Sequence, residues 1–383
     1  MRALVPYADQ AKRNGLRVYH LNIGQPDISS PSEVFETIKS IGIDLLPYSK
    51  SQGTDALRVA ATEYYKKHDI EVSPDDIIVT TGASEGIFFL LHSITDIGDE
   101  IVTPEPFYAN YFGFATISGV KIISVETKLD DNFSLPDVSS FEEKITDKTK
   151  AILICNPGNP TGNLYSKAEM EELGKLVVKY NLQLVVDEVY REFVYDCNER
   201  HSSVLQIKGL EDHAIMVDSV SKRYSLCGAR VGFVVSKNKL LKDTILKFAQ
   251  ARLSPPTYGQ IAAEVALKSS ESYIKNSVLE YKSRRDLLVS ELKKIPGIKV
   301  SVPKGAFYCM VALPLESAED FAKWMLGAFQ LDGETVMIAP APGFYNNSNE
   351  GKNQVRIAYV LNKGDLKKSV QILAKGLEVY NSR

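Results

Sequence analysis

Between Asp76 and Ser236 the sequence alternates short, β-branched apolar runs with longer segments of helical periodicity. The runs are Ile77–Thr80, Glu100–Thr103, Lys121–Val125, Ala151–Cys155, Leu182–Val186, Ala214–Val217 and Val231–Val235. The intervening segments Ser84–Ile94, Phe107–Ile117 and Lys167–Tyr180 have the length and spacing of crossover helices. Such alternation predicts an α/β/α sandwich around a mainly parallel, seven-stranded sheet. Its crossovers are expected to be right-handed.

At 383 residues the chain has room for about two domains. From Gly259 to Lys294 a stretch without proline or further glycine predicts one extended helix leading out of the sheet. Beyond it, strands are expected at Ile298–Val302, Phe307–Leu313, Val336–Ala339 and Val355–Val360, with helices near Ala318–Phe329 and Lys363–Val379. This pattern predicts a smaller α+β domain over 276–383, beside a large domain over 45–275. Residues 1–44, with a short helix at Pro31–Ser40, are expected to pack on the small domain.

Composition narrows the function. Lys and Arg number 45 against 48 acidic residues, a net charge of −3 with no dense basic tract, which removes the electrostatic warrant for nucleic-acid or membrane-surface binding. The four cysteines are scattered without a C-x-x-C pair, arguing against a disulfide framework or a zinc cluster and for a reducing compartment. Residues 1–20 lack a signal-peptide core, and a cytoplasmic location is expected. Small-molecule chemistry is the remaining class.

Three motifs bear on that chemistry. Ser219-Val-Ser-Lys-Arg-Tyr-Ser-Leu-Cys-Gly-Ala-Arg-Val-Gly232 follows an apolar strand and sets Lys222 among hydroxyls and small residues, a setting that suits a reactive amine. Asn156-Pro-Gly-Asn-Pro-Thr-Gly162 follows the strand ending at Cys155, where ligands of open α/β sheets bind. In Leu184-Val-Val-Asp-Glu-Val-Tyr190, Asp187 stands at the carboxyl end of an apolar strand and needs a cationic partner there. Taken singly, each has an ordinary reading as a loop lysine, a turn or a strand end.

In this order and spacing the motifs resemble those of the class I aminotransferases, fold-type I pyridoxal 5′-phosphate enzymes of the aspartate aminotransferase family. The resemblance spans nearly the whole chain and is most specific at Ser219, Ser221, Lys222, Gly228, Arg230 and Gly232. It implies that Lys222 holds the cofactor as a Schiff base and shuttles the proton, with Asp187 paired to the pyridine nitrogen. Such a charge-assisted bond is worth roughly 1.5–3 kcal/mol. Asn159 and Tyr190 match the residues that hydrogen-bond the cofactor's phenolic oxygen. Gly82, Ala83 and Ser84, at a helix N-terminus, with Ser219, Ser221 and Arg230, match the phosphate cup. Tyr108 matches the ring that stacks on the pyridine, with Phe107 as the adjacent rival. Arg356 matches the α-carboxylate ligand, Gly24 the mobile substrate loop, and Tyr48 a tyrosine that reaches the phosphate of the neighbouring subunit. That last match implies a homodimer with shared active sites.

Arg252, in Arg-Leu-Ser-Pro-Pro256, resembles a segment that binds a distal carboxylate across the dimer in one branch, although it is about two residues shorter here. It is weighed evenly against a plain surface or interface arginine. Another branch places a lysine where Ser84 stands, and this chain lacks it. Dinucleotide, nucleotide-triphosphate and zinc-hydrolase motifs are missing, and no metal is expected. The reading is therefore a homodimeric aminotransferase acting on an L-amino acid and a 2-oxo acid, aspartate and 2-oxoglutarate being the favoured pair. A carbon–sulfur β-lyase is the nearest rival on the same scaffold. A cofactor-binding regulatory module is the rival of another class; it would need a DNA-binding segment of basic helix-turn-helix character.

Overall fold

The structure, a computed structural model, describes residues 2–383. Its larger sheet has seven strands in the spatial order Ile77–Thr80, Gly232–Val235, Ala214–Ser219, Gln183–Asp187, Thr149–Cys155, Glu100–Glu105, Lys121–Glu126. All pairings are parallel except those of Gly232–Val235, which is antiparallel to both neighbours. Period-two geometry sends successive side chains to opposite faces. Thus Leu184 and Val186 join the apolar layer on one face, while Val185 enters the layer on the other with Ile215 and Val217. Burial on both faces is why these strands read as unbroken apolar runs.

The second body is a four-stranded antiparallel sheet, in which Tyr308–Ala312 lies between Lys299–Val300 and Gln354–Ala358, with Ala339–Pro340 at the far edge. The helices Ala318–Gly327 and Lys363–Asn381 pack into its core. The N-terminal segment divides its contacts. Arg17–His20 pairs in parallel with Glu334–Met337, and Leu4, Ala8 and Leu21 enter the core of the small body. The helix Ser32–Ser40 instead buries Val34 in the core of the large one.

Two helix expectations are corrected. The single helix expected after Gly259 is two, Thr257–Leu267 and Glu271–Leu292, because Ser270 leaves the helical path and its Oγ accepts from the amide of Ser272. A serine in this role competes with the continuing helix for the same backbone donors. The expected boundary at 275/276 falls inside the second of these helices. Its Tyr273 and Ile274 touch the large core while Tyr281, Leu288 and Leu292 belong to the small one, so it bridges the two bodies. The helix expected from Phe107 starts at Asn110, since the Phe107 amide bonds to Phe344 O (2.9 Å). No described helix is long and apolar enough to cross a membrane.

Candidate active site

Strands that run in one direction present their carboxyl ends along one edge of a sheet. Here Asp187 and Ser219 end their strands, Tyr108 and Asn159 follow Glu105 and Cys155, and Ala83 and Ser84 open the helix after Thr80. All six line one cavity of about 530 Å³, joined by Gly24, Tyr190, Ser221, Lys222, Arg230, Tyr308 and Arg356. Residues far apart in the chain thus meet between the edge of the large sheet and the face of the small one.

Asp187 is 4% exposed. It accepts hydrogen bonds from Tyr111 Oη (2.9 Å) and, at 3.4 Å, from the Val189 amide. Burial pushes its carboxyl up to about 6, against the opposing bond from Tyr111. A carboxylate so placed gains most from a cation brought into the cavity. Lys222 lies on the single-turn helix Val220–Arg223 and donates from Nζ to Gly24 O at 2.9 Å.

Arg230 and its neighbours form an anion cup. Its backbone is left-handed (φ 56°), a conformation that costs a non-glycine residue about 1–2 kcal/mol. This turn lets the guanidinium bond to Cys227 O (3.0 Å) and Thr81 O (3.3 Å). Gly82 (φ 77°) is required beside it, since a Cβ there would overlap the guanidinium. Ser219 Oγ is 2.8 Å from Ser221 Oγ. The amides of the first turn, at Ala83 and Ser84, lack intrahelical acceptors. A guanidinium, a pair of hydroxyls and a helix N-terminus together suit a phosphate.

On the opposite wall Arg356 is buried between the rings of Tyr308 (4.4 Å) and Phe344 (5.0 Å). Its guanidinium donates to Asn159 Oδ1 (2.9 Å) and Asn22 O (2.7 Å). Tyr190 Oη lies 2.8 Å from Tyr308 Oη, and burial raises the Tyr190 phenol well above its ordinary range.

Three residues named from sequence lie outside this cavity, two of them, Tyr48 and Arg252, having been expected to act across a dimer. Phe107 is buried in the core against Tyr111 and Phe112, leaving Tyr108 as the ring on the cavity. Tyr48 is 78% exposed and outside the cavity of its own chain. Arg252, proposed from sequence as a distal-carboxylate ligand, does not line the cavity either. Its amino groups are engaged by Glu85 (3.0 Å), Thr81 Oγ1 (3.5 Å), Ser51 O (2.9 Å) and Val79 O (3.4 Å). Since Glu85 also accepts from the Thr81 amide (2.7 Å), Arg252 braces the corner that carries the anion cup.

Sequence reading missed Tyr111 and Tyr308, and a buried ionic cluster under the lysine turn. Arg191 contacts Glu188 (2.7 Å) and Asp218 (3.8 Å), and Arg223 pairs with Asp218. Asp218 also accepts from Tyr65 Oη (2.9 Å) and from the Ser219 amide (2.7 Å), which pins the start of the cup. Only the mixed signs of Asp218, Arg223, Glu188 and Arg191 in strand-flanking positions signalled it.

Relatives carry the same architecture. The structure superposes on the aspartate aminotransferase of Thermus thermophilus with maleate at a TM-score of 0.88, with 27% identity, covering 98% of this chain and 95% of that one. An alanine aminotransferase from Pyrococcus furiosus matches at 0.89 and 29% identity, covering 99% and 96%. In sequence the chain is 32% identical over 367 residues to an aspartate aminotransferase of Pyrococcus horikoshii, 94% of this chain and 91% of the relative. The model of the family "aminotransferase class I and II" matches residues 17–373, a span that holds Lys222, Asp187, Arg230 and Arg356, and the chain belongs to the class I and II aminotransferases.

Proposed function

We propose that this protein is a cytoplasmic, homodimeric, pyridoxal 5′-phosphate-dependent enzyme that transfers the amino group of L-aspartate to 2-oxoglutarate. One observation supports this reading above others: an amine, a buried carboxylate, an anion cup around Arg230 and the buried guanidinium of Arg356 all line the same cavity. That donor set fits the cofactor. Asp187 needs a cation, which a protonated pyridine nitrogen provides, and the cup of Arg230, Ser219, Ser221 and the 82–84 turn needs a dianion. When bound, the cofactor supplies an electron sink for the substrate's α-carbon.

The protein supplies position and proton transfer. Asp187 would hold the proton on the ring nitrogen of the cofactor. Asn159 and Tyr190 would direct donors at its phenolic oxygen, and Tyr108 would cover its ring. Arg356, its fork fixed by Asn159 and Asn22, grips the α-carboxylate and so orients the Cα–H bond. Lys222 Nζ takes that proton and returns it, while Gly24 O holds the amine.

The aspartate assignment draws on the names of the relatives and on maleate, a four-carbon dicarboxylate, in the Thermus structure. The dimer is supported by the exposed apolar run Ile43, Leu45, Leu46 and Tyr48, which solvent alone does not favour. Tyr48 then serves the partner's phosphate. The bracing role of Arg252 leaves the distal carboxylate without a ligand from that residue.

The test is a single turnover. Aspartate alone should abolish the visible absorbance of the bound cofactor stoichiometrically and release equimolar oxaloacetate, and 2-oxoglutarate should restore the band. Sustained release of pyruvate and ammonia from cysteine or cystathionine without an oxo acid, with no response to aspartate, would refute the reaction. Faster turnover of alanine or an aromatic amino acid would refute the substrate alone.

A further inference from the structure

Tyr308 touches each of the three elements assigned above to ligand binding. It begins the strand Tyr308–Ala312, whose register places Tyr308 opposite Ala358 and Met310 opposite Arg356. Its ring lies 4.4 Å from the Arg356 guanidinium carbon, so one face of the carboxylate fork is covered by the tyrosine. Its hydroxyl reaches into the other body, 2.8 Å from Tyr190 Oη, with the two rings edge to face at 5.6 Å. That hydroxyl also occupies the space that a Cβ on Gly24 would need, so the loop whose carbonyl holds Lys222 is shaped around it. The side chain is 2% exposed yet lines the cavity.

We propose that Tyr308 is a positioning residue with two separable tasks: its hydroxyl donates to Tyr190 and frees the Tyr190 hydrogen for the cavity, and its ring sets the plane of Arg356. A tyrosine hydroxyl has one hydrogen to give and lone pairs to accept. If Tyr308 gives its hydrogen to Tyr190, the Tyr190 hydrogen points onward to an oxygen in the cavity. Each bond in such a chain polarises the next, which strengthens the terminal donor. The proposal rests on the reading that Tyr190 donates to the cofactor's phenolic oxygen. A donor there stabilises the negative charge on that oxygen when the chromophore is deprotonated, and so lowers the pKa of the bound chromophore. Losing the relay must therefore raise that pKa.

The experiment compares the cofactor-loaded wild type with Tyr308→Phe, Tyr190→Phe, the double variant and Tyr308→Leu. Spectrophotometric pH titration of the bound cofactor reads the hydroxyl, and KM for aspartate and alanine reads the ring. Tyr190→Phe should raise the chromophore pKa. Tyr308→Phe should raise it in the same direction by a smaller amount, about 0.3–1, with both KM values within about twofold of wild type. In the Tyr190→Phe background the same change should add nothing, because the relay is already broken. Tyr308→Leu, which loses the ring as well, should raise both KM values together by about fivefold or more. An unshifted titration in Tyr308→Phe, or an additive shift in the double variant, overturns the relay while leaving Tyr190's role intact. An unshifted titration in Tyr190→Phe overturns the underlying reading and the relay with it. A KM unchanged in Tyr308→Leu overturns the task assigned to the ring.

Discussion

Asp187 is where ligand binding and stability should be most visibly linked, and Asp187→Asn isolates the link. In the cofactor-free chain, burial lifts this carboxyl from 3.8 to about 6. A raised acid pKa means that folding favours the protonated form. The stabilisation is therefore complete below about pH 4 and is lost as pH rises from there through about 6. At about 1.36 kcal/mol per tenfold, the full loss is about 3 kcal/mol, of which about 1.4 falls between pH 5 and pH 8. An amide at this position cannot ionise, so the variant escapes that loss. Other buried titrating groups, Glu188 pushed up to about 7 and His201 down to about 3, are common to both proteins and cancel in the difference. Urea unfolding of cofactor-stripped wild type and variant, at one protein concentration, should show the wild type losing about 1.4 kcal/mol relative to the variant between pH 5 and pH 8. Any fixed cost of placing an amide near the Val189 N–H shifts the two curves apart without tilting them. Adding pyridoxal phosphate should restore stability to the wild type far more than to the variant. A stability difference that does not change with pH would refute the buried-charge argument.

Arg252→Ala should release Glu85 and the Thr81 corner, so it should weaken cofactor retention by about tenfold, or about 1.4 kcal/mol, and depress aspartate and alanine turnover alike; a loss confined to aspartate in a substrate panel would restore the distal-carboxylate role. Arg223→Met removes the nearer of the two guanidinium groups on buried Asp218, leaving Arg191 at 3.8 Å, and should cost about 1.5–3 kcal/mol in chemical unfolding, with part of this recovered when Asp218→Asn is added; an unchanged midpoint for the single variant would contradict it. Mixing Lys222→Ala chains with inactive Tyr48→Arg chains should regenerate about a quarter of wild-type activity, since about half of randomly paired dimers carry one site free of both lesions; no recovery after demonstrated subunit exchange would count against a shared site.

Legibility in the sequence followed the range of the interactions involved. The seven strands were readable within a residue or two because each carries a short apolar run of its own. Lys222, Asp187, Asn159 and Arg356, which line one cavity, each stand in a local motif. Interactions that depend on distant partners left weaker traces. The strand Arg17–His20 pairs across nearly the whole chain with Glu334–Met337, and no local pattern announces that pairing. The break at Ser270 was hidden because neither proline nor glycine marks it; the signal was a serine pair, Ser269 and Ser270, able to cap the next helix. The bond from Arg252 to Glu85 left no trace in its motif, because Glu85 lies far from it in sequence. Tyr308 gave no motif of its own, and its hydroxyl matters only because the large body sets Tyr190 opposite it.

These differences share one physical cause. The two bodies each direct charge toward a common cavity: the large sheet delivers buried Asp187 and the cup around Arg230, and the small sheet delivers buried Arg356. The hydrogen bonds described above for Asp187, Arg230 and Arg356 hold their direction and run to neutral partners. Arg356 leans on the oxygens of Asn159 and Asn22, and Asp187 on the phenol of Tyr111. Neutral partners fix geometry while leaving most of the field available to a ligand. A direct Asp187–Arg356 pair would stabilise the empty protein and oppose both the cofactor cation and the substrate carboxylate. The left-handed turn at Arg230 has the same character, since it holds a cation toward the cup at a cost to the chain. Donors and charges set in advance need little rearrangement when charge develops at the reacting carbon, the condition under which electrostatic stabilisation is most effective. Conformational restraint in this site therefore resides in its neutral partners, Tyr111, Asn159, Tyr308 and the Gly24 loop. Substituting those residues should change affinity and pH dependence before it changes the fold.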